Sequence, residues 1–174
     1  MKANSNQHIQ YAFGDTQLGL VAVAQTDSGV CAVLFGASRQ ELVEDLQARF
    51  KKAILHFNEI ELKANLASVV DRVNNPENEV SDDNPIPLDI QGTAFQQKVW
   101  AALVGIESGS TASYTQVAVS IGQPTAARAV ATACAANPLA VLVPCHRVVR
   151  GDGGLSGYRW GVERKRWLLE VEGR

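Results

Sequence analysis

The most concentrated chemistry in the chain is the run Pro144-Cys145-His146-Arg147, with Arg150 and Arg159 close behind it. The thiolate is the reactive form of a cysteine, and a neighbouring positive charge or histidine stabilises it. Sulfur is a soft nucleophile and suits displacement at a saturated carbon. Neighbouring residues of a helix or strand point different ways. Cys145 and His146 can therefore cooperate only on a turn, which Pro144 permits. On residue types alone, an inert buried thiol is an equal alternative. Cys31 falls in a strand pattern and Cys134 in an alanine-rich helix, and both are expected in the core. The remaining histidines, His8 and His56, are scattered, and no CxxC or HxxxH spacing occurs, so no metal site is expected.

The elements that must position this run can be read on both sides of it. Upstream, Ser38, Thr93 and Ser113 each stand three residues before Glu or Gln, the pattern of a helix-opening capping box. Leu42, Val43, Leu46 and Phe50 follow the first; Phe95, Val99, Trp100 and Leu103 follow the second; Val117, Ala118 and Ile121 follow the third. A further helical stripe runs through Ile60, Leu62, Leu66, Val69, Val70 and Val73. Gly122-Gln123-Pro124 is a tight turn, and the helix expected over 125–136 has alanine at 7 of its 12 positions. Helix, glycine-containing turn and helix together predict a helix-turn-helix, ended by Asn137-Pro138. Arg128 is the one long cation of the alanine-rich helix. Backbone on that helix can approach a groove closely while the arginine projects; a plain surface arginine is the alternative. An apolar run at 139–143 leads into Cys145, a Gly-rich loop follows at 151–157, and a last helix from about 162 carries Trp167, Leu168 and Val171 inward. Nearer the start, residues 11–13, 18–24 and 29–35 read as strands, with hairpin chemistry at 27–29. The segment 74–87, rich in Asn, Asp and Pro, is the expected linker.

Composition agrees with a folded domain. Hydrophobic residues are 46% and charged residues 20% of the 174, ordinary for a soluble globular chain. No run of 18 apolar residues exists, which argues against a membrane helix. No apolar signal core stands near the start, and three widely spaced cysteines form no disulfide framework, so a reducing cytoplasm is expected. Net charge is −2, but residues 1–90 carry 7 basic and 13 acidic side chains and residues 91–174 carry 9 and 5. Such asymmetry predicts two lobes, the second facing an anion such as nucleic acid, with a merely solvated surface as the alternative.

The run Pro144-Cys145-His146-Arg147-Val148-Val149 resembles the active-site signature of the O6-alkylguanine-DNA alkyltransferases, the methylated-DNA–protein-cysteine methyltransferases. Phe95-Gln96-Gln97, Val99-Trp100, Ser113-Tyr114, Ala127-Arg128-Ala129-Val130, Asn137-Pro138, Leu155-Ser156-Gly157-Tyr158-Arg159-Trp160-Gly161 and Leu168-Leu169 fall in that family's order and spacing. The similarity is strong over 88–174 and loose before it, and it is nearest to the C-terminal half of the bacterial adaptive-response members. Their multi-cysteine zinc domain has no counterpart in this sequence, so no transcriptional role is carried over.

The resemblance implies an α/β (α+β) protein: an N-terminal β-sheet-plus-helix lobe with its linker over 1–87, then a mostly helical lobe over 88–174 with the helix-turn-helix. It implies direct reversal of O6-methylguanine damage in DNA, with O4-methylthymine as a second substrate, by a monomer that uses no cofactor, no metal and no membrane. Cys145 would accept the alkyl group and be consumed in one turnover. His146 would be the base, acting through a water, with Glu172 fixing its tautomer. Asn137 would tie the helix-turn-helix to the active-site turn, and Tyr114 would donate a hydrogen bond to the leaving guanine. Backbone of Cys145, Val148 and Arg159 would read the guanine edge, Tyr158 would wall the pocket, and Trp160 would limit the size of the alkyl group. Arg128, with Ala127, Gln123 and Ser113, would contact the minor groove of double-stranded DNA, Arg128 filling the space of the flipped base. Two rivals stand beside this reading: a damage-binding relative without the nucleophile's activity, and an unrelated cysteine hydrolase with turnover.

Overall fold

A computed structural model describes residues 6–78, 85–155 and 157–173 of the chain. Residues 79–84 of the expected linker and Ser156 of the 155–161 motif lie outside the described residues. The N-terminal lobe is a sheet covered by helices. Strands β1 (His8–Thr16), β2 (Gly19–Thr26) and β3 (Gly29–Phe35) form an antiparallel meander, and β4 (Ile54–Phe57) adds to β1 in parallel, giving the order β3-β2-β1-β4. Helices α1 (Arg39–Arg49) and α2 (Glu59–Asn74) pack on it. Ser38 caps α1 as its sequence requires, but Glu41 returns its bond to the Ala37 amide, one residue earlier than a capping box would place it. Strand β4 was not legible in advance, because four residues with three exposed carry neither alternation nor length.

The C-terminal lobe follows with α3 (Ala94–Val104), α4 (Tyr114–Ser120), α5 (Ala127–Ala135) and α6 (Val162–Val171). Thr93 and Ser113 each make both bonds of a capping box, with Gln96 and Gln116, so α3 and α4 start where their sequence sets them. Gly122, at φ +76, turns the chain between α4 and α5 and completes the helix-turn-helix. Two short strands, β5 (Ala112–Ser113) and β6 (Val148–Val149), pair in parallel and tie the start of α4 to the segment after Cys145. Two residues are too few to announce a strand.

The lobes meet along β3, all seven residues of which are buried. One side of β3 pairs with β2. The other side bonds to the end of the linker and to the second lobe: Val30 donates to Pro87 at 2.8 Å, Asp89 to Val30 at 2.9 Å, Val33 to Pro138 at 2.8 Å and Ala140 to Val33 at 3.1 Å. Gly29 makes this approach feasible, because a Cβ there would stand 2.6 Å from the Pro87 carbonyl oxygen. One apolar core runs through both lobes, from Ile9 and Val23 to Val99, Leu139 and Leu168. Among the described residues no helix is long and apolar enough to cross a membrane.

Candidate active site

The expected turn at Cys145 is present. Residues 139–143 are neither helix nor strand: Val141 sits at φ 67, a backbone conformation that β-branched residues rarely adopt. Cys145 donates its N–H to Val143 at 2.8 Å, and Cys145–Arg147 form a single 3-10 turn closed by Arg147 N–H to Pro144 at 3.0 Å. The turn sends the adjacent side chains of Cys145 and His146 to different neighbours.

Asn137, fully buried, joins three parts of this loop. Its Nδ2 donates to the Val143 carbonyl at 2.8 Å and to Cys145 Sγ at 3.3 Å, while its Oδ1 accepts from the Leu139 amide at 2.9 Å. An N–H aimed at sulfur favours the thiolate over the thiol. Burial acts in the opposite sense and is stronger: the Cys145 thiol is pushed up to about 11. Asn137 and the Lys165 ammonium offset part of that rise.

His146 is fully buried, and its Nε2 lies 2.8 Å from Glu172 Oε1. Glu172 also accepts from Arg147, at 2.7 Å from Nη2 and 3.0 Å from Nε. Burial alone would raise the Glu172 carboxyl, but the bonds from His146 and Arg147 outweigh it and hold the group below the usual carboxylate range. With an ionised Glu172 as acceptor, Nε2 carries the proton. Neutral His146 then keeps its lone pair on Nδ1, which is buried without a hydrogen-bond partner among the described residues. Burial lowers the His146 pKa, although Glu172 works against the shift, so the neutral base is the resting form.

Cys145 opens on a cavity of about 420 Å³ lined also by Tyr114, Ala131, Cys134, Ala135, Gly157, Tyr158 and Arg159. This is within the range of small-molecule sites. Helix α5 forms one wall and loop 157–159 the other. Cys134 is the second thiol on the cavity, and burial pushes it higher, to about 12. Tyr158 is half-buried; its hydroxyl is buried with no hydrogen-bond partner among the described residues, and burial raises its pKa well above the usual value.

Of the residues expected at the site, Cys145, Tyr114, Tyr158 and Arg159 line this cavity. His146, Asn137 and Glu172 stand buried behind Cys145. Val148 is buried on β6, with its carbonyl accepting from Lys165. Trp160 departs from its expected place. It lies behind Tyr158, edge-on to Phe35 and Tyr158, and it lines a neighbouring cavity with Glu41, Leu42 and Asp45 instead of the Cys145 cavity. The reason is that the indole finds an apolar seat against β3 of the other lobe. Arg128 and Gln123 are exposed, Ala127 and Ser113 half-buried, all on or beside the helix-turn-helix.

Two contacts at the site escaped the sequence, which showed Arg147 only as positive charge near the thiol and Lys165 not at all. Arg147 grips Glu172 and also donates to the Ile106 carbonyl at 2.7 Å. Lys165 is only 1% exposed, with Nζ 2.6 Å from the Val148 carbonyl. Burial lowers its pKa, while Cys145 and Cys134 oppose that shift. The signal for Lys165 was its phase: Lys165, Leu168, Leu169 and Glu172 share the inner face of α6 at i, i+3, i+4 and i+7. Of the expected stripe, Leu168 is buried and Trp167 packs half-buried against the core, while Lys165 and Leu169 complete the buried set and Val171 is half-buried.

Known proteins similar to this chain fall in one family. Residues 94–174 match the family described as 6-O-methylguanine DNA methyltransferase, DNA binding domain. Over 167 residues the chain is 47% identical to the bifunctional transcriptional activator/DNA repair enzyme Ada of Escherichia coli, covering 96% of this chain and 46% of that protein. Over 87 residues it is 54% identical to a methylated-DNA–protein-cysteine methyltransferase of Mycobacterium tuberculosis, covering 50% of this chain and 53% of that one. The chain spans about half the length of these curated relatives. The crystal structure of Mycobacterium tuberculosis OGT in complex with DNA superposes with a TM-score of 0.73 at 34% identity, over 95% of this chain and 92% of that one. Fold and site define a cysteine-centred domain carrying a helix-turn-helix, and the chain belongs to the O6-methylguanine-DNA methyltransferase family.

Proposed function

We propose that this chain repairs O6-alkylguanine in double-stranded DNA by moving the alkyl group onto Cys145, once per molecule. The observation that carries the reading is Cys145 on an open cavity, with the Asn137 N–H on its sulfur and the buried His146–Glu172 pair behind it. The printed functions of the relatives support the substrate class.

The chemistry follows from the geometry. A thiol titrating near 11 is protonated at neutral pH and needs a base. His146, with Nε2 committed to Glu172, takes the thiol proton at Nδ1 through a water. An S–C bond forms as the O6–C bond breaks, and the electron pair leaves on guanine, where the Tyr114 hydroxyl stabilises it until it is protonated. The thioether product does not hydrolyse at neutral pH, so Cys145 is spent. The step balances with thiol and alkyl ether alone. Cys134 shares the cavity, but the Asn137 N–H and the adjacent His146–Glu172 pair stand at Cys145, which makes Cys145 the acceptor.

A target base inside a duplex must leave the stack to reach this cavity. In our reading helix α5 enters the minor groove, its small residues allow close approach, and Arg128 fills the vacated place. Gln123, Ala127 and Ser113 flank that contact. Residues 88–174 carry the chemistry, residues 1–87 support them, and the protein acts as a monomer. O4-methylthymine is the second substrate. A cytoplasmic setting keeps the thiol reduced.

Intact mass and peptide mapping after exposure to an O6-methylguanine duplex test the reading. One added CH2 on Cys145, with Cys31 and Cys134 unmodified, supports it. An unmodified Cys145, or product released over repeated turnovers, refutes it in favour of a binding protein or a hydrolase.

A further inference from the structure

Helix α1 belongs to the N-terminal lobe, yet two of its side chains end at the walls of the Cys145 cavity. Asp45 Oδ1 accepts from Arg159 Nη2 at 2.9 Å and from Arg49 Nε at 3.3 Å. Arg49 Nη1 in turn donates to the Ala136 carbonyl at 3.3 Å. Arg159 belongs to the loop that forms one wall. Ala136 closes helix α5, the opposite wall, immediately before Asn137. Arg159 is further steadied over the Trp160 ring, 5.9 Å from its centroid. One carboxylate therefore stands between two guanidiniums that hold opposite sides of the cavity.

We propose that Asp45 is a positioning residue for the cavity: through Arg159 and Arg49 it holds loop 157–160 and the end of α5 at a fixed separation, so the N-terminal lobe sets the width of the lesion pocket. This rests on the alkyl-transfer reading above. The physical reason is charge. Without the carboxylate, Arg49 and Arg159 face each other as like charges, and Arg159, the more exposed of the two, moves outward with its loop. The pairing side chains of Arg159 and Asp45 are 33% and 25% exposed, so the clamp is solvent-weakened. It biases a loop equilibrium and leaves the fold intact. A smaller closed fraction raises the apparent dissociation constant in proportion.

The test compares Asp45→Asn, Arg159→Met, their double variant and the charge exchange Asp45→Arg/Arg159→Asp. Single-turnover methyl transfer from an O6-methylguanine duplex gives a half-saturating concentration and a limiting rate. Amide hydrogen exchange of 157–161 in the DNA-free protein is read in parallel. Asp45→Asn is expected to raise the half-saturating concentration about two- to fivefold, an effect the size of one partly exposed ion pair, and to speed exchange in 157–161 by a similar factor. The limiting rate should change less than twofold. The double variant should be no worse than either single one, and the exchanged pair should restore both readouts. Native values for Asp45→Asn in both, or losses that multiply in the double variant, overturn the proposal. If the native chain takes no methyl from DNA, the alkyl-transfer reading fails, and the exchange data still decide whether the clamp exists.

Discussion

Replacing Glu172 with Gln changes one oxygen to an NH2 and removes one buried charge. In the native protein the carboxylate accepts from His146 at 2.8 Å and from Arg147 at 2.7 Å and 3.0 Å. A glutamine amide can accept at its oxygen from one of these partners but turns N–H groups toward the other. Arg147 would be left largely buried with an N–H facing it, and the pairing that selects the Nε2–H tautomer of His146 would be weakened. Removing one member of a buried ion pair costs about 3–5 kcal/mol. For a chain of this length each kcal/mol moves the melting temperature by about 2–4 °C, so a fall of roughly 10 °C is expected. Loss of an oriented base should slow transfer about 100-fold, the lower end of general-base contributions. Transfer from an O6-methylguanine duplex and iodoacetamide labelling of Cys145 would both be measured at 15 °C, where the variant remains folded. Both should fall together. A variant within twofold of native in transfer, or one slow on DNA with native labelling, would show that Glu172 does not act through His146.

The other expectations are separable. His146 and Glu172 are held below their ordinary values, so the unfolded chain binds more protons in acid. Their contribution is complete above about pH 6.5 and is lost below it, His146 first and then Glu172. Cys145, Cys31 and Cys134 are raised from 9.0 to about 11, 12 and 12, so stability declines again above pH 9, and methylation of Cys145 should remove its share. Urea midpoints across pH 3–11 check both arms, and a flat profile refutes them. Arg128→Ala should lose about tenfold or more on duplex DNA and less than twofold on free O6-benzylguanine, because only the duplex must be unstacked, at a few kcal/mol; equal losses would refute the groove role. Trp160→Gly should cost about 3–5 kcal/mol, since the ring is buried against Phe35 and Tyr158, and should speed reaction with O6-benzylguanine by loosening Tyr158. An unchanged melting temperature would contradict that packing.

The capping boxes at Thr93 and Ser113, the Gly122 turn and the Pro144 turn were legible because each is a local device whose partners lie within a few residues. The Cys145-His146 pair was legible only in part: the residues themselves left an inert thiol as an equal alternative, and the roles came from the family resemblance. Glu172 was reached only through the family resemblance, and Arg147 only as positive charge near the thiol, because the bond between them spans 25 residues of sequence that no local pattern links. Lys165 was masked by its neighbours: in Glu163-Arg164-Lys165-Arg166 a charged run reads as a solvated face. Trp160 was misplaced because its seat is made by Phe35, from the other end of the chain.

Strand β3 is hydrogen-bonded on both sides, by β2 and by residues 87–89 and 138–140. There is thus no seam along which one lobe can melt while the other stays. Opening the sheet frees the Ala140 amide, five residues before Cys145, and disturbing the turn at Cys145 pulls on Val33. A chain cut to begin at residue 88 would lose the partners of Asp89 and Ala140 and expose Leu139, which is fully buried. The two lobes should therefore unfold in a single cooperative transition, and the slowest-exchanging amides of the sheet should share their opening free energy with those beside Cys145.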